Sequence, residues 1–353
     1  MAYTTIDDPS AYFQIALWTG DGTAGNAVTF DGNSDMQPDF VWSKRRDSAT
    51  SNVLKNTSAG GTSDNDLHLV SDLTQAESTY AQYRMDFDSD GFTLDGVGDS
   101  GFQGIGTSMV SWSWKANGGT TSSNTAGSTT TTVQVNQDAG FSIVTYLGNG
   151  NAANQTLGHG LGVAPDMIIS KRRGASTDWL VYHKSLGVGS IIYLNSNVAS
   201  STTNPPYKDT PTSTVFSTQY EFQATDNWVS YCFAEKQGYS KFGSYVGNGN
   251  SNGPFVYTGF KPAFVIVKRI DSTGDWVMYD SKRNPSNVVD KYLMPHNANA
   301  EATASSELID FLSNGFKVRG TWNGFNASGG SIIYMAFAEN PFVTSTGIMG
   351  TAR

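Results

Sequence analysis

Apolar residues alternate with small residues in three similar runs, and this pattern predicts β-strands. The runs cover residues 110–114, 229–233 and 333–337. The residue before the last aromatic is small in each run: Ser113, Cys232 and Ala336. A small residue there predicts a central strand with a second layer packed on that face. We interpret Cys232 as a buried small residue, not a redox site.

Landmarks at equal spacing indicate that the chain contains three copies of one unit. Each copy opens on an aromatic-x-Gly-(Asp or Asn)-Gly turn, which begins at Trp18, Tyr146 and Tyr245. Each copy then has a proline that starts an apolar run, with a Lys-Arg pair beginning six residues later. These prolines are Pro38, Pro165 and Pro262. Copies two and three share an Asp-Trp pair, whereas copy one has Ser51-Asn52 in its place.

These strands and turns predict an all-β fold of tandem antiparallel β-sandwich repeats of the jelly-roll type. Asp90-Gly91 and Asn314-Gly315 are flanked by alternating apolar residues, which predicts hairpins with positive φ at both central positions. About 100 residues is small for a complete jelly roll. The sequence therefore leaves open whether the repeats are separate sandwiches or share strands.

The landmarks also predict the domain boundaries. Residues 117–132 lack periodicity and are rich in Gly, Ser and Thr, which is typical of a flexible linker. We expect these segments: a docking segment at 1–12, repeat 1 at 13–116, a linker at 117–137, repeat 2 at 138–237, repeat 3 at 238–343 and a tail at 344–353.

Composition and charge narrow the possible partners. The 353 residues carry 31 Asp plus Glu against 22 Lys plus Arg, and this net charge of −9 argues against binding to nucleic acid or anionic lipid. No apolar run is long enough for membrane insertion, and the N-terminus has no signal-peptide pattern. We expect the Lys-Arg clusters to form a solvated rim with local ion pairs, with Glu235 and Glu339 among their partners.

One acidic motif suggests a calcium loop. Asp86, Asp88 and Asp90 precede Gly91 with the spacing of the first half of an EF-hand loop. However, Val97 occupies the position of the bidentate glutamate, and the third copy lacks two of the three acids. We favour a hairpin turn, keep calcium as a weak candidate and expect no cofactor.

Four aromatic side chains are weak candidates for glycan binding. Trp179, Tyr182, Trp276 and Tyr279 are residues of the type that stacks on sugar rings. Their equal spacing in two copies, with apolar residues between them, favours a half-buried strand instead. No nucleophile elbow, metalloprotease motif or phosphate loop surrounds the four histidines, and we expect no enzymatic activity.

Four stretches resemble repeat domains in structural proteins of marine bacteriophages. They begin at His159 (HGLGVAPDMII), Cys232 (CFAEKQGYSKFGSYVGNG), Gly259 (GFKPAFVIVKR) and Ile332 (IIYMAFAENPF). The resemblance covers roughly residues 10–343 and is strongest from residue 140 onward. It implies a concanavalin-A-like, lectin-type sandwich and a location on the virion surface after synthesis in the bacterial host cytoplasm. It carries no catalytic motif.

The resemblance leads us to expect a tail fibre, spike or adhesin component that contacts a host-surface glycan or protein. Other virion proteins would be its assembly partners, and fibres suggest a homotrimer by analogy. Residues 1–12 would then dock on the tail or baseplate, with repeats 2 and 3 pointing outward. A capsid decoration or head-fibre protein is the alternative, and a polysaccharide depolymerase is a more remote one.

Overall fold

The fold is built almost entirely of antiparallel strands, which confirms the all-β sandwich prediction. The computed structural model describes residues 2–58, 67–98, 101–150, 155–219, 222 and 225–350. Its described helices are short: the 3-10 helices Pro9–Ala11 and Ala81–Tyr83, and α1 (Asn323–Asn326). None of these helices has the length and hydropathy needed to cross a bilayer.

Each repeat supplies nine described strands. Those of repeat 1 are β1 (Phe13–Thr19), β2 (Asn26–Val28), β3 (Phe40–Arg45), β4 (Val53–Asn56), β5 (Leu67–Val70), β6 (Ser78–Thr79), β7 (Met85–Phe87), β8 (Phe92–Leu94) and β9 (Ser108–Trp114). Those of repeat 2 are β10 (Ser122–Asn124), β11 (Thr131–Asn136), β12 (Phe141–Leu147), β13 (Gln155–Gly158), β14 (Met167–Arg172), β15 (Leu180–His183), β16 (Ile192–Tyr193), β17 (Val215–Thr218) and β18 (Asn227–Phe233). Those of repeat 3 are β19 (Ser240–Val246), β20 (Phe255–Tyr257), β21 (Phe260–Arg269), β22 (Trp276–Asp280), β23 (Lys291–Tyr292), β24 (Ala302–Thr303), β25 (Ile309–Leu312), β26 (Gly315–Val318) and β27 (Ser331–Pro341).

The three repeats share one strand order in their large sheets. The orders are β1-β9-β3-β4, β12-β18-β14-β15 and β19-β27-β21-β22. The alternating run that closes each repeat is therefore the central strand, as its small residues predicted. A smaller sheet forms the second layer of each sandwich: β2-β8-β7, β13-β17 and β20-β26-β25.

The predicted linker differs from the structure. Within residues 117–137, β10 and β11 form a hairpin, and β11 pairs with the opening strand β12 of repeat 2. Val133 and Gln134 of β11 are buried. Alternation of Thr, Val and Gln over residues 131–135 is a strand pattern that the low-complexity composition hides. This segment is part of repeat 2.

All three repeats contribute to one common core. The large sheets turn one face toward this shared core, which contains Trp112 of repeat 1, Tyr231 of repeat 2 and Met335 of repeat 3. The opposite face of each large sheet packs on its own small sheet and forms a private core. Cys232 lies fully buried in the private core of repeat 2. The repeats are therefore distinct sandwiches that share a hydrophobic centre, and not beads on a string.

The glycines of the two predicted hairpins serve close packing. Gly91 has a φ of +95°, but neither residue of the Asn314-Gly315 pair is left-handed, so the predicted turn type is wrong. A Cβ on Gly91 would lie 2.0 Å from the carbonyl oxygen of Val28, and one on Gly315 would lie 2.1 Å from that of Val256. Because the neighbouring strand approaches equally closely in both repeats, glycine occurs at both positions.

Residues 2–12, which belong to the segment expected to dock on the tail or baseplate, pack on the body of the protein. Ile6 is 3% exposed and belongs to the shared core. The Thr4 hydroxyl donates to the carbonyl of Gln237, and the Tyr3 hydroxyl donates to that of Gly259. The segment therefore covers the joint between repeats 2 and 3.

Equivalent lysines join the repeats into a closed ring. Lys44, Lys171 and Lys268 end the proline-led strands, and all are fully buried. Each Nζ donates to a loop carbonyl of its own repeat and to one of a neighbouring repeat. The neighbouring acceptors are Ala298 of repeat 3 for Lys44, Thr74 of repeat 1 for Lys171, and Asn197 and Val198 of repeat 2 for Lys268. The contacts permute cyclically, as in a head-to-tail ring with approximate three-fold symmetry.

A second set of contacts repeats this cycle eight residues later. The indole Nε1 of Trp179 donates to the carbonyl of Val70, and that of Trp276 donates to the carbonyl of Tyr193. In repeat 1, Asn52 occupies this position, and its amide donates to the carbonyls of Met294 and Asn297. The first copy has lost the tryptophan and kept a donor to its neighbour.

In repeats 1 and 2, the arginine that follows the Lys-Arg pair also forms an ion pair with a neighbouring repeat. Arg46 pairs with Glu301, with two N–O distances of 2.9 Å, and Arg173 forms the equivalent pair with Glu77. Ile270 occupies this position in repeat 3, and its carbonyl accepts from Ser200 instead. The expected solvated rim is therefore wrong for these lysines and arginines, because the strands that carry them end inside the ring.

At each boundary, the repeat that accepts the lysine bond also places a side chain against the repeat that carries the lysine. Asn56, His183 and Asp280 occupy the same position at the ends of β4, β15 and β22. The Asn56 amide donates to the Tyr231 hydroxyl, and the Trp112 indole donates to the Asp280 carboxylate. Each repeat therefore contacts both of its neighbours. We name the first seam for repeats 1 and 2, the second for repeats 2 and 3, and the third for repeats 3 and 1.

In the second seam the residue equivalent to Trp112 and Tyr231 is Met335, which has no polar hydrogen. His183 Nε2 therefore donates to the adjacent backbone carbonyl of Tyr334, at 3.1 Å. Its Nδ1 accepts from the backbone N–H of Ser185, so both nitrogens of the neutral ring are bonded.

Replacement of a seam lysine tests the ring. Lys171→Met removes the donor to the carbonyls of Thr74 and Thr177, at 2.9 and 2.7 Å, and leaves an uncharged side chain at a fully buried position. We expect it to lower the free energy of unfolding by about 2–4 kcal/mol in urea titrations. Lys282→Met is the control, because its ion pair with Asp31 is exposed and is worth less than about 1 kcal/mol. Equal effects of the two variants would contradict the role of Lys171.

Two buried histidines predict loss of stability in mild acid. Burial lowers the pKa of His159 and of His183 from 6.5 to about 4. The unfolded chain therefore takes up these protons first. The histidine contribution to stability should be constant above pH 6.5 and should fall between pH 6.5 and 4, by about 3 kcal/mol per histidine. Urea unfolding at pH 7.5, 5.5 and 4.5 measures this loss. His183→Gln keeps a donor for Tyr334 and should flatten the profile, and an unchanged slope would refute the assignment.

Candidate binding site at the seams between repeats

Each of the three seams has an equivalent position, which lies beside the strand that opens a large sheet. The residue after the proline of the proline-led strand identifies it: Asp39, Asp166 and Ala263. In two repeats an aspartate accepts a backbone N–H from the end of the closing strand. The N–H of Ala116 donates to Asp39, and that of Glu235 donates to Asp166, at 2.7 and 2.6 Å. These matching bonds establish the equivalence of the two positions.

In the first seam, a side chain from the β10–β11 hairpin fills this position. Gln134 of β11 is fully buried. Its amide nitrogen donates to the hydroxyls of Thr57 and Ser58, both at 2.8 Å. Its amide oxygen accepts from the N–H groups of Asn117 and Gly119. The amide nitrogen is therefore bonded to the turn after β4 of repeat 1, and the amide oxygen to the junction after β9.

In the second seam, charged side chains fill the position. Lys184 of repeat 2 lies 3.0 Å from Asp166 and 2.8 Å from Glu235, and Lys241 of β19 reaches the same glutamate. These lysines lower the pKa of Glu235, against the effect of burial, which by itself raises it. The ion pairs replace the strand and the glutamine of the first seam.

In the third seam, the position is a cavity of about 180 Å³. Ala263 lacks the carboxylate of the other two repeats, and among the described strands none pairs with the outer edge of β1. Phe13, Ile15, Ala263 and Ala338 line the apolar part of the cavity. Its other lining residues are polar or glycine: Asp8, Ser10, Gln14, Asp31, Gly32, Asn33, Ser281, Lys282, Glu339 and Asn340.

The charges around the cavity are mostly negative and are bonded to the protein. Lys282 of repeat 3 pairs with Asp31 of repeat 1, 2.5 Å apart, across the third seam. Glu339 pairs with Lys261, and Asp8 accepts from the hydroxyls of Ser10 and Ser34. An apolar floor with amides, hydroxyls and excess carboxylate around it suits an uncharged polar group and disfavours an anion.

The repeat comparison contains a signal for this site that our sequence analysis missed. Alanine follows the proline in the third copy, where aspartate follows it in the other two. That difference marks the seam with extra space. The opposite wall of the cavity comes from residues 8–15 and 31–33. These residues lie near Ala263 because the ring closes.

Each of the three aspartates of the calcium candidate interacts with a different protein group. Asp88 accepts from the hydroxyl of Thr93 at 2.7 Å, and Asp90 accepts from the backbone N–H of Met36 at 3.2 Å. Burial and a hydrogen bond to Asp95 raise the pKa of Asp86. In the described part of the chain, no group of three His, Cys, Asp or Glu residues is arranged to hold a metal ion.

The aromatic residues suggested for glycan binding lie inside the protein. Trp179, Tyr182, Trp276 and Tyr279 are at most 4% exposed. The tryptophans face the shared core and the tyrosines face the private cores, because residues alternate between the faces of β15 and β22. The Tyr279 hydroxyl donates to the carbonyl of Glu307. In this structure none of the four rings presents a face on which a sugar could stack.

Two further expectations are corrected by the contacts of the glutamates. Glu235 pairs with Lys184 and Lys241, and Glu339 pairs with Lys261. Neither pairs with the Lys-Arg pair of its own repeat. The glutamates lie at the opposite end of the large sheet from those basic residues, because the closing and proline-led strands are antiparallel.

Fold and seams together define a ring of three all-β sandwich repeats with one open seam. The chain belongs to the family described as "Domain of unknown function (DUF7483)", which matches residues 8–341. The match spans all three repeats. No curated protein and no solved structure matches the chain significantly.

Thermal unfolding with and without calcium tests the candidate metal site. Because Asp88 and Asp90 already accept protein hydrogen bonds, we expect 5 mM EDTA or CaCl₂ to leave the melting temperature unchanged. The Asp88→Asn variant provides the control, since it reduces the charge of the loop and can still accept from Thr93. A calcium-dependent rise in melting temperature that Asp88→Asn abolishes would restore the metal site.

Proposed function

We propose that the chain is a structural protein of a bacteriophage virion, a tail fibre, spike or adhesin component that presents lectin-like sandwiches to the host surface. The resemblance of four repeat stretches to marine phage structural proteins suggests the virion. The ring of seams is the observation that supports a display role. Buried lysines and crossed ion pairs hold three sandwiches in fixed relation, so that the loops at their ends have defined positions.

The ring also limits the surfaces through which the protein can assemble. Three repeats of one chain already occupy the seam surfaces, so the proposed homotrimer has to use other surfaces. Residues 2–12 cover the joint between repeats 2 and 3 and are not a projecting arm. Docking on the tail or baseplate therefore involves the outer surface of the body. Host contact is made by exposed loops, in many copies that raise the effective concentration.

Electron microscopy of virions labelled with a gold-tagged antibody against the ring tests this proposal. Gold at the tail is the expected result, because a receptor-binding component is displayed there. Gold at the head alone would support a capsid decoration or head-fibre protein instead. The matched control is the same antibody after absorption with the purified protein, which should remove the label.

Pure protein incubated with host envelope polysaccharide tests the remaining alternative. We expect no new reducing ends, because the proposed role is display. Release of reducing ends by the purified protein would establish a depolymerase. The Lys282→Met variant is a suitable comparison, since it alters the rim of the open seam and leaves the buried seam lysines in place.

A further inference from the structure

We propose that the open third seam, together with the edge of β1, is a docking site for an extended strand of another protein. The strand pairs antiparallel with β1 and inserts an uncharged amide side chain into the cavity lined by Phe13, Ile15 and Ala263. This inference goes beyond the proposed virion role and holds wherever in a particle the protein is located.

The chain itself carries a strand at the equivalent place in the first seam. There, β11 pairs antiparallel with β12, and Gln134 lies opposite Ile143. Gln134 reaches across the seam to the hydroxyls of Thr57 and Ser58. Strand β1 corresponds to β12, because both open their large sheet beside its central strand. The first seam therefore shows what the third seam is shaped to accept.

The register on β1 follows from the repeat. Phe13, Ile15 and Leu17 of β1 correspond to Phe141, Ile143 and Thr145 of β12. A docked strand then places its amide residue opposite Ile15, on the side of the cavity. Two residues earlier in that strand, a β-branched residue lies opposite Leu17, which is 40% exposed. Backbone pairing supplies affinity, and the pocket supplies specificity.

The equivalent walls of the two seams differ in side-chain size and charge. Ser281 and Lys282 of repeat 3 take the places of Thr57 and Ser58 of repeat 1, and Ala263 takes the place of Asp39. On the repeat 3 side, the hydroxyl of Ser281 and the ammonium group of Lys282, which pairs with Asp31, line the cavity that the amide enters. The nearby carboxylates of Asp31 and Glu339 oppose a negatively charged side chain.

The second seam lacks this vacancy, although β19 is also an edge strand. Lys241 extends from β19 to Glu235, and Lys184 bridges the same glutamate to Asp166. Charged residues on an edge strand are a common protection against further pairing. Among the three seams, the third combines an unpaired edge with an open cavity.

Disulfide trapping with a synthetic peptide tests both docking and register. The peptide has the sequence of residues 129–137, TTTTVQVNQ, and the protein carries Leu17→Cys. The native Cys232 is fully buried and does not compete. Cysteine at the place of Thr132 in the peptide should be trapped preferentially, because Thr132 lies opposite Thr145 in the first seam. Cysteine at the place of Asn136 should be trapped at least about tenfold less.

A second variant checks the register independently. Thr19→Cys moves the probe two residues along β1, so that trapping should shift to the peptide with cysteine at the place of Thr130. Leu147→Cys is the matched control, since Leu147 is exposed on β12, whose edge β11 already occupies. Replacement of the peptide's Gln by Glu should weaken trapping at least about tenfold, because that side chain meets the carboxylates of the cavity.

Three results would overturn the proposal. The first is equal trapping at every peptide position, and the second is equal trapping by Leu147→Cys. The third is formation of a disulfide-linked dimer of the Leu17→Cys protein as the main product with peptide present, which would assign the edge to a second copy. Labelling of the virion head alone would leave this test unchanged, so failure of the two proposals can be distinguished.

Discussion

The rest of the structure depends on a lysine ammonium group buried at the end of each proline-led strand. Burial lowers the pKa of Lys44, Lys171 and Lys268 to about 8, which leaves each protonated at neutral pH. A buried charge is tolerated only where hydrogen bonds replace its water. Backbone carbonyls from two adjacent repeats provide those bonds. Each lysine is therefore satisfied only when its neighbour is in place, which couples the folding of every repeat to that of the next.

The shared core explains how repeats of about 100 residues manage with small second layers. Each large sheet is covered on one face by two or three short strands and on the other by the large sheets of the other two repeats. Aromatic side chains meet at this centre, where Phe40 stacks on Tyr231 and Phe13 on Phe337. Burial on both faces is the reason that the closing strands combine large apolar side chains with small ones such as Ser113, Cys232 and Ala336.

Much of the fold could be predicted from the sequence, because alternation and turn glycines are local signals. The repeats, the central closing strand and the burial of Cys232 followed from spacing alone. The strand β11 was missed, because its Thr-rich composition resembles that of a linker until its pairing with β12 is known. The aromatic candidates were misjudged for a related reason. Trp179 is a good sugar-stacking residue in isolation, and only the adjacent repeat shows that its indole is enclosed.

The candidate site was beyond sequence analysis in a more basic sense. Its walls come from residues 8–15 and 31–33 on one side and 263, 281–282 and 338–340 on the other. A comparison of copies marks Ala263 as exceptional, but only ring closure brings β1 next to it. The same holds for the lysines, since their sequence context is that of an exposed strand end.

Closure of the ring also sets an order for folding. Lys171 reaches a carbonyl 97 residues away and Lys268 one 71 residues away, whereas Lys44 reaches Ala298 across 254 residues. Loop-closure entropy rises with such separation, so we expect contacts of the third seam to form after those of the other two. The seam that retains an open cavity is thus the one that the chain joins last, and a strand docked there would fasten the two ends of the polypeptide together.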